Sequence, residues 1–373
     1  MADRRRRTIQ VAQPKLDGNE AAYVAECITE EWITHAGKYV GMFERGFAEW
    51  IGTEHAIACS SGTAALHLAL LALGVKAGDE VLMPALTYVS APNAVRYCDA
   101  TPVFCDSERD TMAIDPGDIE KRITPQTVGI VPVHLYGHPA AMDAVGEIAR
   151  RHGLWVLEDA AEAHGATYRD KMCGAIGDAG TFSFFGNKII TTGEGGMVTT
   201  NDSELAERVR RYGGQGVDPN RRYWFPVVGY NYRMTNIQAA LGVAQLEQRT
   251  ELVQARQDVA GWYRQHLQPL LAKLVLPGAR PDVHHAYWMY TVVLADDARL
   301  RRDELIERLA EDGIEPRPVF YPAHLLPPYH APGTDQYPVA ERLARQGITL
   351  PTHARLTEDD VAYVAERLTA YLN

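Results

Sequence analysis

Long apolar runs are missing from this sequence, and none approaches the roughly 18 residues that suggest a membrane-spanning helix. Cysteine is scarce too. The five thiols, Cys27, Cys59, Cys98, Cys105 and Cys173, are odd in number and include no CxxC pair. They read as reduced core thiols of a cytoplasmic protein rather than a disulfide framework. No HExxH stretch or other compact ligand set marks a metal site, and the adjacent His284 and His285 are poorly spaced to share one ion. No internal repeat or long low-complexity tract appears, which argues against solenoids and disorder. Positive charge is the minority: 37 Lys and Arg face 48 Asp and Glu, a net charge of -11. That balance argues against nucleic acid as the main partner, yet leaves room for a locally basic site that takes an anionic substrate. Arg4 to Arg7 are an exception, and with no apolar core behind them they read as a basic tail rather than a secretory signal.

What is present is enough apolar material, 46% of 373 residues, for one large unit and a smaller one. Helical periodicity starts near Asn19 and again near Met42. From His55 onward, short apolar runs alternate with helical patterns. Strands are expected at Ala56 to Cys59, Glu80 to Met83, Pro102 to Cys105, Gly129 to Val133 and Leu154 to Leu157, with helices such as Thr63 to Leu73 and Ala140 to Arg151. This alternation predicts an α/β fold with a mostly parallel sheet covered on both faces. The strands near Thr181 to Phe184 and Met197 to Thr200 are closer together and are candidates for a change of direction. A long helical pattern from about Thr235 to Leu267 bridges to a second, α+β part. That part carries a strand at Trp288 to Val293 and helices near Arg302 to Glu311 and Glu358 to Tyr371.

The chemistry concentrates between Leu154 and Met197. The strand Leu154 to Leu157 ends in Glu158-Asp159, and ligands of parallel sheets sit at the carboxyl ends of strands. An acid there serves either as a helix cap or as a functional group. Lys188 lies in the apolar stretch Thr181-Phe182-Ser183-Phe184-Phe185-Gly186-Asn187-Lys188-Ile189-Ile190. Burial disfavours an ammonium, and a neutral amine attacks an aldehyde, so this is a setting for an imine-forming lysine. A pyridoxal cofactor needs such an amine, an anion beside its pyridine nitrogen and a phosphate cradle. Asp159 fits the anion. Ser60-Ser61-Gly62-Thr63, between a strand and a helix, offers amides and hydroxyls to a phosphate, although an ordinary Ser/Thr cap looks the same. Ser183 is a further hydroxyl, and Tyr88, after another strand, could stack on a ring or belong to the core.

Together these segments resemble the DegT/StrS-type nucleotide-sugar aminotransferases, a fold-type I pyridoxal-phosphate family. The matching pieces are Ser61 to Leu66, Pro84 to Tyr88, Glu158 to Gly165, Ser183 to Lys188, Asn231 to Met234 and Leu350 to His353, in that order. The resemblance implies a seven-stranded, mostly parallel sheet between helices and a smaller C-terminal α+β domain. It divides the chain into an arm at 1–17, a large cofactor-binding domain at 18–245 and a small domain at 246–373. It implies that Lys188 bonds pyridoxal 5'-phosphate and later moves protons, with pyridoxamine 5'-phosphate as the amino-carrying form. Asp159 pairs with the pyridine nitrogen, Gly62, Thr63 and Ser183 hold the phosphate, and Tyr88 stacks on the ring. Asn231 reaches the phosphate of a neighbouring subunit, which makes a homodimer with shared sites. Glu162 stands where many relatives carry Gln beside the cofactor's ring oxygen. Because an ionised Glu would repel a phenolate there, it is expected to be protonated or turned toward a donor. His164 reads as a core histidine. Arg222, Tyr223, Tyr321 and His324 are candidate contacts for the substrate, and no metal is implied.

The implied reaction moves an amino group from L-glutamate to a 4-keto-6-deoxy nucleotide sugar. Related sugar 3-dehydratases carry His in place of the lysine, so Lys188 argues for nitrogen transfer. A 3-keto sugar or cyclitol-ketone aminotransferase stays open, as does a non-catalytic regulator that kept the fold, although such a regulator has no need of the Asp159 and Lys188 pair.

Overall fold

Seven of the apolar runs assemble into one sheet. The computed structural model describes residues 8–278, 280–330 and 336–373, and the arginine tail Arg4 to Arg7 lies outside them. Across the sheet the strands run His55–Cys59, Gly196–Thr200, Ala179–Ser183, Trp155–Asp159, Thr127–Ile130, Glu80–Pro84 and Thr101–Cys105. Six share one direction. Gly196–Thr200 is antiparallel to both of its neighbours, so the change of direction falls where the closely spaced strands are expected. The remaining pairings are parallel.

Successive residues of a strand face opposite sides. Val81, Met83 and Leu157 therefore join one core with Phe43, Phe47, Phe182 and Phe184. Leu82, Ile130 and Val156 join the other, with Val145 and Ile148 of the helix Met142–His152. Both faces are covered, as the near-continuous apolar strands require. The helix Gly62–Ala72 begins at Ser61, whose hydroxyl accepts the Ala64 amide at 3.1 Å.

The C-terminal part carries a four-stranded antiparallel sheet in the order Leu274–Val275, Tyr290–Leu294, Gly347–Leu350 and Arg317–Pro318. Its separate core includes Tyr263, Tyr290, Leu305, Ile348, Val361 and Leu368. The single long helix expected from Thr235 to Leu267 is two helices, Asn236–Glu247 and Arg249–His266, parted at Gln248. Each half serves a different core. The first buries Ala239, Ala240 and Val243 beneath the large sheet, and the second gives Val259, Ala260 and Tyr263 to the C-terminal one. The described residues of the arm are docked: the Ile9 amide donates to the Gly313 carbonyl, and the Val11 carbonyl accepts from the Thr352 amide. Among the described residues no helix is long and apolar enough to cross a membrane.

His164 is fully buried against Phe47, Phe182 and Phe184, and neither ring nitrogen has a hydrogen-bond partner. Burial pushes its pKa down to about 3, and that of His353 to about 4. In the unfolded chain both titrate near about 6.5. Between these limits the unfolded state takes up protons that the native state refuses, so stability falls as pH drops through this window. We expect His164→Phe to flatten that fall, read as the urea midpoint from about pH 7 to about pH 5. An unchanged slope would contradict the assignment.

Candidate active site

The strand Trp155–Asp159 ends in two carboxylates that leave on opposite faces. Glu158 is fully buried and accepts the amides of Gly174, Ile176 and Gly177 at 2.9, 2.7 and 2.8 Å, plus His134 Nε2–H at 2.9 Å. The His134 tautomer is set by its Nδ1, which accepts the Ala140 amide at 3.1 Å. His134, Glu158 and Cys173 lie close enough to suggest a metal site. With four donors already on its two oxygens, however, Glu158 works as a structural acceptor that fixes the strand end.

Asp159, on the other face, enters a cleft of about 410 Å³. It is 6% exposed, and its Oδ1 accepts the Ala161 amide at 3.1 Å. Burial raises its carboxyl above the usual range, with the Ala161 amide and Lys188 pulling it partly back. No ion pair engages it among the described residues.

Lys188 enters the same cleft from a turn whose amide donates to the Phe185 carbonyl. The turn is tied down by Thr191 Oγ1–H and the Thr192 amide, both donating to the Phe184 carbonyl. Its side chain is one-tenth exposed, with Nζ 3.6 Å from Glu162 Oε1 and 3.7 Å from the centroid of the Trp288 ring. Burial lowers the Lys188 pKa, which Glu162 and then Asp159 partly restore. Glu162 accepts the Tyr136 amide on Oε2 at 2.7 Å, and burial pushes its carboxyl up to about 7. A protonated or donor-bound Glu162 is what the charge argument expected, and both conditions are within reach here.

The helix start at Ser61 lines the cleft with Gly62 and Thr63, whose amides helix geometry leaves without intrahelical acceptors. A Cβ on Gly62 would stand 2.7 Å from the Ser183 Cβ, so only glycine lets the helix start and the strand Ala179–Ser183 approach this closely. Thr63 Oγ1–H donates to Ser90 Oγ at 2.9 Å. Tyr88 stands half exposed at the mouth, tilted against Phe320 at 5.4 Å.

Seven of the residues expected to hold the cofactor therefore converge: Gly62, Thr63, Tyr88, Asp159, Glu162, Ser183 and Lys188. Asn231 does not line this cleft; its side chain accepts from Arg233 at 3.0 Å. Arg222 and Tyr223 lie outside it on an exposed segment, and Tyr321 is exposed beside it. His324 is turned to Glu341 at 3.4 Å and packed on Tyr337. The cleft also gathers residues that carried no role in the sequence reading, notably Tyr136, Trp288, Arg317 and Phe320. The only signal for Trp288 and Tyr136 was an aromatic beside a strand, which reads equally well as core.

These residues fit pyridoxal 5'-phosphate. The buried Asp159 has no cation beside it among the described residues, Lys188 has a lowered pKa, and the amides and hydroxyls around Gly62 suit an anion. Fold and donor set define a fold-type I, pyridoxal-phosphate-dependent transferase. The chain belongs to the DegT/DnrJ/EryC1/StrS aminotransferase family, which it matches over residues 14–369. It is 54% identical over 364 residues to GDP-perosamine synthase from Caulobacter vibrioides, covering 98% of each chain. It is 46% identical to GDP-perosamine synthase from Escherichia coli O157:H7, covering 97% of this chain and 98% of the relative. The crystal structure of the aminotransferase TlmJ from Streptoalloteichus hindustanus superposes with a TM-score of 0.92 at 31% identity, covering 98% of this chain and 99% of that one. The protein is thus a pyridoxal-phosphate-dependent sugar aminotransferase.

Glu158→Ala strips four donors of their acceptor in a fully buried place. We expect a loss of about 3–5 kcal/mol in denaturant unfolding, together with weaker cofactor retention as the Asp159 end of the strand shifts. A loss under about 1 kcal/mol would show that the strand end is held by something else.

Proposed function

We propose that this enzyme transfers the amino group of L-glutamate to the keto carbon of GDP-4-keto-6-deoxymannose, giving GDP-perosamine, and that it does so in the cytoplasm as a homodimer. The observation that carries the reading is that Lys188 and Asp159 line one cleft. The nucleotide-sugar assignment is supported by the two GDP-perosamine synthases at 54% and 46% identity. It is supported also by Gly214-Gln215-Gly216, Asp218 to Pro226 and Arg317 to Phe320, segments that resemble those enzymes.

Pyridoxal phosphate, when bound, supplies a carbonyl that takes up the amino group and a ring that absorbs carbanion charge. The chain's part is positional and electrostatic. Asp159 would hold negative charge against the ring nitrogen from a buried strand end. Amides of Gly62 and Thr63, with the Thr63 and Ser183 hydroxyls, would hold the phosphate. Lys188, once free, would serve as the proton carrier from a lowered pKa, the kind of general acid–base work that typically gives 10²–10⁴-fold in rate. Glu162, neutral or shared with Lys188, would sit beside the ring oxygen without repelling it.

The proposed dimer is supported by large apolar side chains that a single chain leaves bare. Trp32, Ile33, Tyr223, Trp224, Phe225 and Val228 are 49–85% exposed. Arg221 and Arg222 lie over the Trp224 and Tyr223 rings at 4.0 and 4.9 Å. In the dimer this segment and Asn231 would complete a neighbour's cleft, which explains why neither reaches its own. Five buried free thiols suit a reducing compartment.

The test is glutamate-dependent amination across a panel of GDP-, dTDP- and UDP-linked 4-keto sugars, 3-keto sugars and an inosose. We expect the GDP-linked 4-keto-6-deoxy sugar to be preferred, and Lys188→Ala to abolish turnover. Preference for a 3-keto sugar or the inosose, or no turnover at all, would overturn the assignment.

A further inference from the structure

Lys188 has a second neighbour that the chemistry above does not use. Trp288 is 5% exposed, and the centroid of its ring lies 3.7 Å from Lys188 Nζ, well inside the distance at which a ring face attracts an ammonium. A purely structural tryptophan has apolar atoms on both faces. Here the ring stacks on Tyr136, at 6.2 Å between centroids and 11° between planes, and also has the Lys188 amine over it.

The ring is also fastened. Its Nε1–H donates to the carbonyl of Asn187 at 2.8 Å, tying the indole to the backbone immediately before Lys188. Arg256, itself 3% exposed, donates from Nη1 to the Trp288 carbonyl at 3.4 Å. Tyr136, the stacking partner, gives its amide to Glu162, the carboxylate on the other side of Lys188. Ring, carboxylate and lysine turn are therefore one linked unit.

A lysine that alternates between a bonded and a free state needs a place for its freed ammonium. The cleft offers a poor one. Asp159 is a buried carboxylate with no cation in contact among the described residues, and an ammonium that fell onto it would compete for the anion that would serve the ring nitrogen. We propose that Trp288 is a positioning residue whose ring face, with the Glu162 carboxylate, forms a seat for the Lys188 ammonium whenever that amine carries no bond to the cofactor. This rests on the reading of Lys188 as the cofactor lysine. The seat keeps the amine beside the reacting carbons and away from Asp159.

The test follows Trp288 rather than turnover. The full-length protein is labelled with 5-fluorotryptophan and loaded with pyridoxamine 5'-phosphate, the form in which Lys188 is free. The Trp288 fluorine resonance is assigned by its loss in Trp288→Phe and followed against pH. We expect a titration step that survives in Glu162→Gln and is lost in the Glu162→Gln, Lys188→Met double variant. A resonance that ignores pH in the pyridoxamine form of Glu162→Gln, or that still steps in the double variant, overturns the proposal. The reading of Lys188 as the cofactor lysine is checked apart from this, on the protein loaded with pyridoxal 5'-phosphate: a borohydride-fixed label on any other residue sinks that reading and leaves the titration in the pyridoxamine form to decide the seat.

A second measurement uses the same pyridoxamine-loaded protein and reads the pH dependence of Lys188 acylation by peptide mass spectrometry. Trp288→Leu should lower the midpoint by about one pH unit, because the face that favours the ammonium is gone, and Trp288→Phe should lower it by less. Equal midpoints in all three proteins would contradict the seat.

Discussion

An amine and two carboxylates buried within one cleft are costly to keep out of water, and the surrounding structure is organised around holding them there. Lys188 and Glu162 offset each other at 3.6 Å, while among the described residues the Asp159 carboxylate has only an amide bonded to it. That imbalance is unfavourable in a protein without a ligand and, on the proposed reading, would be relieved by a cationic ring nitrogen. The rest of the large sheet serves it. Glu158, with four donors, locks the strand end so that Asp159 points into the cleft, and the turn after Ser183 is tied back to Phe184 so that Lys188 meets it.

Much of this was legible in the sequence because parallel sheets put function where strands end. The runs ending at Cys59, Pro84 and Asp159 could be read as strands from their apolar composition, and Gly62, Tyr88 and Asp159 follow them directly or close them. Lys188 stood out because lysine is rare in an apolar stretch. Tyr136, Trp288 and Phe320 were not legible, since an aromatic that lines a cleft and one that fills a core have the same sequence signature. They come from three distant segments, and only tertiary packing brings their rings together. The break at Gln248 was hidden for a related reason: both helices keep a helical period, and only the switch from one core to the other separates them.

Charge shows the same contrast between whole and part. The chain carries a net charge of -11, and its cleft is lined by Asp159, Glu162 and Glu194 against Lys188 and Arg317. An anionic sugar nucleotide therefore finds little positive charge in one chain's cleft. The arginines at 221 and 222, each stacked on an exposed aromatic, are the kind of group that the proposed dimer would bring to it. On this reading Asn231, Arg222 and Tyr223 belong to a neighbour's site.

The central claim is that one lysine, Lys188, bonds the cofactor. Reduction of the holoprotein with borohydride, followed by peptide mapping, tests it directly. The expected result is a single phosphopyridoxyl group on the peptide that contains Lys188. A label on any other residue, or none on cofactor-saturated protein, would contradict the site and the transfer chemistry built on it.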